Sequence, residues 1–427
     1  MCSYKNKNLY CENINLNDVV KDLGSPFYCY SSKILETKYR ELTNALKEED
    51  SLICFSLKAN SNQSIIKTFS ALGSGADVVS IGELKRALKA GIPANKIVFS
   101  GVGKNINELI YAIKNEILMI NVESVPELKQ ISVQASNLNI TAPISLRVNP
   151  DIEAGGNEKI STGKKQDKFG ISIKEAIDVY ELASNLDNIQ IKGIDVHIGS
   201  QINDLQPFEQ TFDCIVKTIS KLKDKNINIE VIDIGGGIGI NYTDEDALNI
   251  NDYAALISKK FRSLNKKIII EPGRFLTAES GILVTKIIYI KENESKKFII
   301  VDAAMNDFIR PSLYGSLHNA LPLTEDNNEK NIESYDVVGP ICETGDFFIK
   351  NFKTSKLSEG DLLAITNVGA YGSVLSSNYN SRPSITEIMI KEDNYSIIKK
   401  RQDIDEMINQ DILACLLYTS PSPRDLS

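Results

Sequence analysis

Four polar features of the sequence each stand where a short β-branched run ends. Lys58 closes the run Cys54-Phe55-Ser56-Leu57-Lys58-Ala59-Asn60, and an amine at such a place is a candidate to condense with a carbonyl group as a Schiff base. Most lysines instead lay an apolar stem on the surface and keep the ammonium in water, and Lys58 alone does not separate the two readings. His197, one of only 2 histidines, ends Val196-His197-Ile198-Gly199-Ser200-Gln201; a single imidazole is structural more often than functional, and its strand-end position favours function. Gly235-Gly236-Gly237 follows another apolar run directly. Three consecutive glycines either turn several N–H groups toward one anion or make a plain tight turn. Glu271-Pro272-Gly273-Arg274 sets a carboxylate beside a guanidinium, free for a ligand or engaged as an ion pair.

An amine, an anion cradle, an imidazole and a carboxylate are together what one aldehyde-bearing, phosphorylated cofactor requires, and pyridoxal 5'-phosphate is therefore the cofactor expected. The 7 cysteines are scattered, with neither a CxxC pair nor a Cys/His cluster. No metal is expected, and an odd number of thiols argues against a complete disulfide framework and for a reducing cytoplasm.

These side chains need a scaffold that brings strand ends together. Strand-like runs at 52–57, 76–79, 97–100, 117–122, 144–149, 191–197, 230–234 and 267–271 alternate with helical patterns at 61–72, 81–90, 105–114, 124–135, 172–186, 207–223 and 251–264. Eight strands with helical crossovers suit a (β/α)8 TIM-like barrel, whose functional groups gather at the carboxyl ends of the strands. After Pro272 the rhythm changes to strand-like stretches at 281–292, 297–301, 334–338, 361–367 and 384–390. The expectation is an α/β chain with a barrel over 25–275, a second, mainly β domain from 1–24 plus 276–415, and a disordered or non-native tail at 416–427 that carries two Ser-Pro steps.

Length and composition agree. A chain of 427 residues is too long for one ordinary core, and 42% hydrophobic with 24% charged residues is a globular composition. The 48 Lys and Arg against 56 Asp and Glu give a net charge of −8, and without a basic block nucleic acid is not an expected partner. No apolar run approaches membrane-spanning length, and the amino terminus lacks a signal core, so a soluble cytoplasmic protein is expected.

The ordered set of Ser25-Pro26-Phe27-Tyr28, Ser56-Leu57-Lys58-Ala59-Asn60, Gly75-Ala76-Asp77-Val78-Val79-Ser80, Lys168-Phe169-Gly170-Ile171, His197-Ile198-Gly199-Ser200-Gln201, the glycine triplet, Glu271-Pro272-Gly273-Arg274, the segment 305–314, Gly339-Pro340-Ile341-Cys342-Glu343-Thr344-Gly345-Asp346 and Gly369-Ala370-Tyr371-Gly372 resembles the alanine-racemase-like, or fold-type III, pyridoxal enzymes. Within them it resembles the branch that decarboxylates meso-2,6-diaminopimelate to L-lysine and CO2, the last step of lysine biosynthesis. The resemblance runs over nearly the whole chain. It implies that Lys58 holds the cofactor covalently, that His197 stacks on its ring and that Glu271 pairs with the ring nitrogen. It also implies that Gly235, Gly236, Gly237, Gly273, Arg274 and Tyr371 hold the cofactor's phosphate end with Ser200 nearby, and that Asp77 positions the lysine.

By the same resemblance Cys342 is the catalytic proton donor, and it comes with Glu343 from a neighbouring subunit, which implies a homodimer with shared active sites. Arg274, Arg310, Tyr314, Glu343 and Tyr371 are the implied substrate contacts. Guanidinium groups suit a substrate with a distal carboxylate and have no use for the terminal cation of ornithine or arginine. Thr344 stands where serine is common in the family, and the insert 154–159 before Thr162-Gly163 has little similarity, which leaves the lid region 154–170 without a detailed expectation. Other readings stay open: another basic amino-acid decarboxylase of this fold, a catalytically silent pyridoxal-binding homologue, and a cofactor-free Schiff-base aldolase. A racemase fits less well, because Cys342-Glu343 suits one-step protonation.

Overall fold

Eight parallel strands close into a barrel in this computed structural model, which describes residues 2–153, 162–163, 166–242, 247–325 and 332–414. The strands are β1 (Ser51–Ser56), β2 (Gly75–Val78), β3 (Ile97–Phe99), β4 (Met119–Val122), β5 (Ala142–Asn149), β6 (Ile189–Asp195), β7 (Val231–Asp233) and β8 (Lys267–Ile270). Each pairs with the next, and β8 returns to β1 with Ile268 opposite Ser51, so no open edge remains. All eight expected strands are present, displaced by a few residues at most. The inserts 154–159 and the tail 416–427 lie outside the described residues.

Side chains alternate between the two faces of a strand, and in this barrel the inward-facing set changes character along each strand. Near the amino ends, Leu52, Cys54, Val98, Met119, Val231 and Ile269 form a small apolar core of their own. Two residues further along, on the same face, stand Ser56, Ser100, Asn121, Asp233 and Glu271, all buried. The outward set, including Ile53, Phe55, Ile120, Ile232 and Ile268, joins the large core beneath the surrounding helices. The barrel is therefore plugged with hydrocarbon at one end and polar at the end where a ligand would sit.

The helices begin where capping chemistry allows. Asn105 accepts from the N–H groups of Asn107 and Glu108 while Glu108 answers to Asn105, and Ser124 accepts from Glu127. The expected helices at 105 and 124 thus start on cap residues that are themselves not helical.

The second sheet runs in the order Phe347–Ser355, Ile332–Val338, Lys297–Val301, Gly281–Glu292, Phe27–Ser31, Thr386–Lys391, Asn394–Lys399. Here the reading that began the barrel unit at residue 25 is corrected: Phe27–Ser31 pairs with Gly281–Val284 on one side and Thr386–Ile390 on the other. All five of its residues are buried, so it carries no alternation to mark which sheet it joins. The amino-terminal strands also lie with this unit, Leu9 N–H donating to Leu323 O at 2.8 Å. Arg310–Tyr314 is a short helix with proline in its first turn.

The two units interlock beside Lys58. Tyr371 N–H donates to Ala59 O at 2.8 Å, and Asn60 Nδ2 donates to Gly369 O at 3.0 Å. Among the described residues no helix is long and apolar enough to cross a membrane.

Candidate active site

The carboxyl ends of the barrel strands open into a small enclosed cavity lined by Ser56, Lys58, His197, Ser200, Gly237, Ile238, Glu271, Pro272, Gly273, Arg274 and Tyr371. Eight of the sequence-predicted residues are in that lining: Lys58, His197, Ser200, Gly237, Glu271, Gly273, Arg274 and Tyr371. Lys58 follows β1, and its Nζ lies 2.7 Å from Asp77 Oδ2, while Ser56 Oγ donates to the same oxygen at 2.7 Å. Burial opposes the lysine's charge, but the carboxylates of Asp77 and Glu271 outweigh it and hold the ammonium well above the ordinary lysine range. Asp77 is fully buried; burial alone would raise it, and the Lys58 ammonium holds it below the usual carboxylate range. A buried pair of this kind keeps the amine pointed in one direction.

Glu271 forms part of the cavity floor. Its Oε1 accepts from Ser100 Oγ at 3.3 Å and from Asn121 Nδ2 at 3.4 Å. Oxygens of Glu271, Asp233 and Asp195 lie within 4.8 Å of one another, and three like charges cannot all persist there. Burial, then Asp233 and Asp77, push Glu271 far up. Burial raises Asp233 to about 7, against the Gly235 N–H that stabilises its charge. Burial and the neighbouring carboxyls thus favour the neutral form of Glu271, and a cation brought to it would favour the charged form.

His197 stands at the cavity wall with a defined tautomer. Gly236 N–H donates to its Nδ1 at 3.1 Å, so Nδ1 accepts and any proton is on Nε2. Burial, then the charges of Arg147 and Lys58, lower it to about 3, and burial likewise lowers His318 to about 3. Because burial disfavours the charged form, both of the chain's 2 histidines stay neutral above that range. We predict that neither imidazole titrates between pH 8 and pH 5 in a proton–carbon NMR spectrum; a midpoint near ~6.5 would place that ring in water.

The glycine triplet is more than a tight turn. A Cβ on Gly235 would stand 2.4 Å from Val196 O and 2.9 Å from His197 Nδ1, and one on Gly236 would stand 2.2 Å from Glu271 O. Gly235 and Gly237 have φ of +66° and +100°, a region that suits glycine. The turn thus packs tightly against its neighbours, with Gly236 N–H on His197 Nδ1, Gly235 N–H on Asp233 Oδ1 at 3.0 Å and Gly237 at the cavity.

Glu271 and Arg274 do not pair with each other. Arg274 donates to Tyr242 Oη at 2.7 Å and to Ser200 Oγ at 3.1 Å, and lies 5.0 Å from the Tyr371 ring centre. Arg310 lies 5.4 Å from the ring centre of Tyr242 and donates to Ser316 Oγ at 3.2 Å. Both guanidiniums are buried, the Nε of each has no partner, and neither has a carboxylate partner among the described residues. Buried cations without anions mark places where anions are to be received.

Cys342, Glu343 and Tyr314 are not in the cavity lining. Cys342 is exposed beside Asn380 and Arg382 in a separate cleft, and Glu343 accepts from Tyr379 Oη. Several polar residues were not singled out in the sequence: the buried Asn121, Glu123, Arg147, Asp195 and Asp233, and the half-buried Tyr242. Arg147 donates to Glu123 Oε1 at 2.7 Å, and Thr162 Oγ1 donates to the carbonyl of His197 at 2.8 Å. The readable signal for most of them is position: each inward strand-end polar residue lies two after a residue of the same face.

The donor set fits pyridoxal phosphate. An amine, an acid on the floor, a neutral ring on the wall, the Gly237 end of a tightly packed glycine turn and an arginine with an orphan Nε line one cavity.

The family described as "Pyridoxal-dependent decarboxylase, pyridoxal binding domain" matches residues 32–278. The chain is 44% identical to diaminopimelate decarboxylase of Haemophilus influenzae over 95% of its own length and 97% of that protein's. It resembles the solved diaminopimelate decarboxylase of Helicobacter pylori in complex with L-lysine, at TM-score 0.90 and 42% identity over 93% of this chain and 99% of that one. The enzyme of M. jannaschii in co-complex with L-lysine superposes at TM-score 0.93 and 31% identity, over 98% and 99% of the two chains.

Proposed function

Because the chain belongs to the diaminopimelate decarboxylase family of pyridoxal-dependent enzymes, we infer that it removes one carboxylate of meso-2,6-diaminopimelate to give L-lysine and CO2, with pyridoxal 5'-phosphate as cofactor. The bound cofactor supplies an aldehyde that captures an α-amine and a conjugated ring that accepts the electrons of the bond to the departing carboxylate. The protein's own groups bind, orient and move protons.

Lys58 is the covalent anchor, and Asp77 aims its nitrogen and balances its charge. The Gly235–Gly237 turn, Gly273, Ser200, Arg274 and Tyr371 hold the phosphate. Glu271 meets the ring nitrogen, where an acid already far up in pKa shares or yields its proton without adding a free charge to the floor. Neutral His197 lies against a ring face. Arg310 and Tyr314 receive the distal carboxylate, Glu343 the distal amine, and Cys342 returns a proton to the α-carbon. Cys342 and Glu343 serve the cavity of a partner subunit, a reading supported by their exposure in a cleft apart from Lys58. The working unit is then a homodimer in the cytoplasm, with a barrel unit at about the 32–278 family span and a mainly β unit from the rest.

The observation that carries the substrate assignment is the pair of buried guanidiniums flanking Tyr242 without carboxylate partners. One matches the cofactor's phosphate, and the other matches a substrate carboxylate that a diamine precursor lacks. The test is release of CO2 and L-lysine from meso-diaminopimelate by the pyridoxal-phosphate-loaded protein, with ornithine and arginine in parallel. Release from a diamine precursor alone would keep the cofactor and the phosphate role of Arg274 and remove the substrate role of Arg310.

A Gly236→Ala variant probes the cradle. Its Cβ would meet Glu271 O at 2.2 Å, backbone against backbone, so the turn must shift. We expect cofactor affinity to fall on the order of tenfold or more, read by absorbance titration, with a strain cost of about 1–3 kcal/mol seen in the thermal midpoint.

A further inference from the structure

We propose that Asn121 and Asp233 are positioning residues for Glu271, forming a buried bracket under the barrel floor that fixes the acid facing the cofactor ring and joins it to the phosphate turn. This rests on the reading of Glu271 as the ring-nitrogen partner.

Asn121 is fully buried at the end of β4. Its Oδ1 accepts from Ser145 Oγ at 2.6 Å. The NH2 side then meets three oxygens: Ser100 Oγ at 3.1 Å, Glu271 Oε1 at 3.4 Å and Asp233 Oδ2 at 3.5 Å. One amide therefore spans β5, β3, β8 and β7. Asp233 carries the link onward, because its other oxygen accepts from Gly235 N–H at 3.0 Å. The floor acid's carboxyl and the first glycine of the turn are thus three hydrogen bonds apart, with Asn121 and Asp233 between them.

The bracket has an electrostatic part as well. Glu271 is faced by the carboxyls of Asp233, Asp195 and Asp77, by the cations Lys58 and Arg147, and by the neutral His197 ring. Asp233 is the largest charge effect upon Glu271. Removing its charge while keeping its shape lowers the pH at which Glu271 ionises. Removing Asn121 takes away the amide donor and leaves Glu271 Oε1 with Ser100 Oγ as its hydrogen-bond donor.

The experiment compares Glu271→Gln, Asn121→Ala and Asp233→Asn after each is loaded with pyridoxal phosphate. The visible absorbance of the bound cofactor is followed against pH, together with cofactor affinity and the split between kcat and KM. For Asn121→Ala we expect kcat to fall on the order of tenfold with KM for substrate little changed, and an altered absorbance titration. For Asp233→Asn we expect the titration to move to lower pH. If Glu271→Gln alters the titration and the other two variants leave it as in the parent, the bracket is overturned while the role of Glu271 stands. If Glu271→Gln leaves it unaltered, the reading of Glu271 falls and the proposal with it. Should Asn121→Ala fail to fold, the near-isosteric Asp233→Asn decides alone.

Discussion

Replacing Lys58 with alanine abolishes covalent retention of pyridoxal phosphate and lowers kcat/KM on the order of a thousandfold or more, measured by absorbance after gel filtration and by CO2 release. Two consequences of the substitution are separable. Lys58 Nζ is 2.7 Å from Asp77 Oδ2, and Asp77 is fully buried, so removal of the ammonium leaves a carboxylate without its counter-charge. Breaking a buried pair from one side costs about 3–5 kcal/mol in a fully dry site. The cost here is smaller, because the lysine side chain is 35% exposed to the cavity and Asp77 can take up a proton. The double variant Lys58→Ala/Asp77→Asn removes both charges and should regain thermal stability relative to the single variant. It should regain no turnover. Parent-like activity in Lys58→Ala would take Lys58 out of the mechanism, whereas activity recovered only in the double variant would show that the single change acts through stability.

Much of this site was legible because a closed parallel barrel turns sequence position into place. Lys58, His197, Gly235–Gly237 and Glu271 each follow a strand, and strand ends converge on one rim, so four distant segments meet around one cavity. The floor was legible in principle and went unread. Cys54 and Ser56, Val98 and Ser100, Met119 and Asn121, Val231 and Asp233, Ile269 and Glu271 are apolar–polar pairs two residues apart, each pair on the inward face. Two signals were absent. Tyr242 follows β7 in an irregular loop, and nothing in its sequence setting says that it separates Arg274 from Arg310. The strand Phe27–Ser31 is buried on both faces, and only its pairing partners, more than 250 residues away at Gly281–Val284, reveal its sheet.

Cys342 poses the question that one chain leaves to two. Its thiol is exposed in a cleft lined with Asn380 and Arg382 and is not part of the Lys58 cavity. An acid that protonates carbon must come within hydrogen-bond reach of it, so on the function proposed above the thiol would serve the reaction from a second copy of the chain. The Cys342→Ala variant should bind cofactor as the parent does, because no cofactor contact is lost, while turnover falls about 10²- to 10⁴-fold, the range for a missing general acid. On that proposal Lys58→Ala and Cys342→Ala are each impaired for different reasons and in different halves of a shared site. Unfolding-free exchange of the two variants in equal amounts should therefore restore activity. Random pairing makes about half the dimers mixed, and each mixed dimer has one site built from two intact contributions, so the recovery approaches about a quarter of the parent value. No recovery, in a mixture whose mixed dimers are detected by mass spectrometry, would assign Cys342 to the cavity of its own chain or remove it from the reaction.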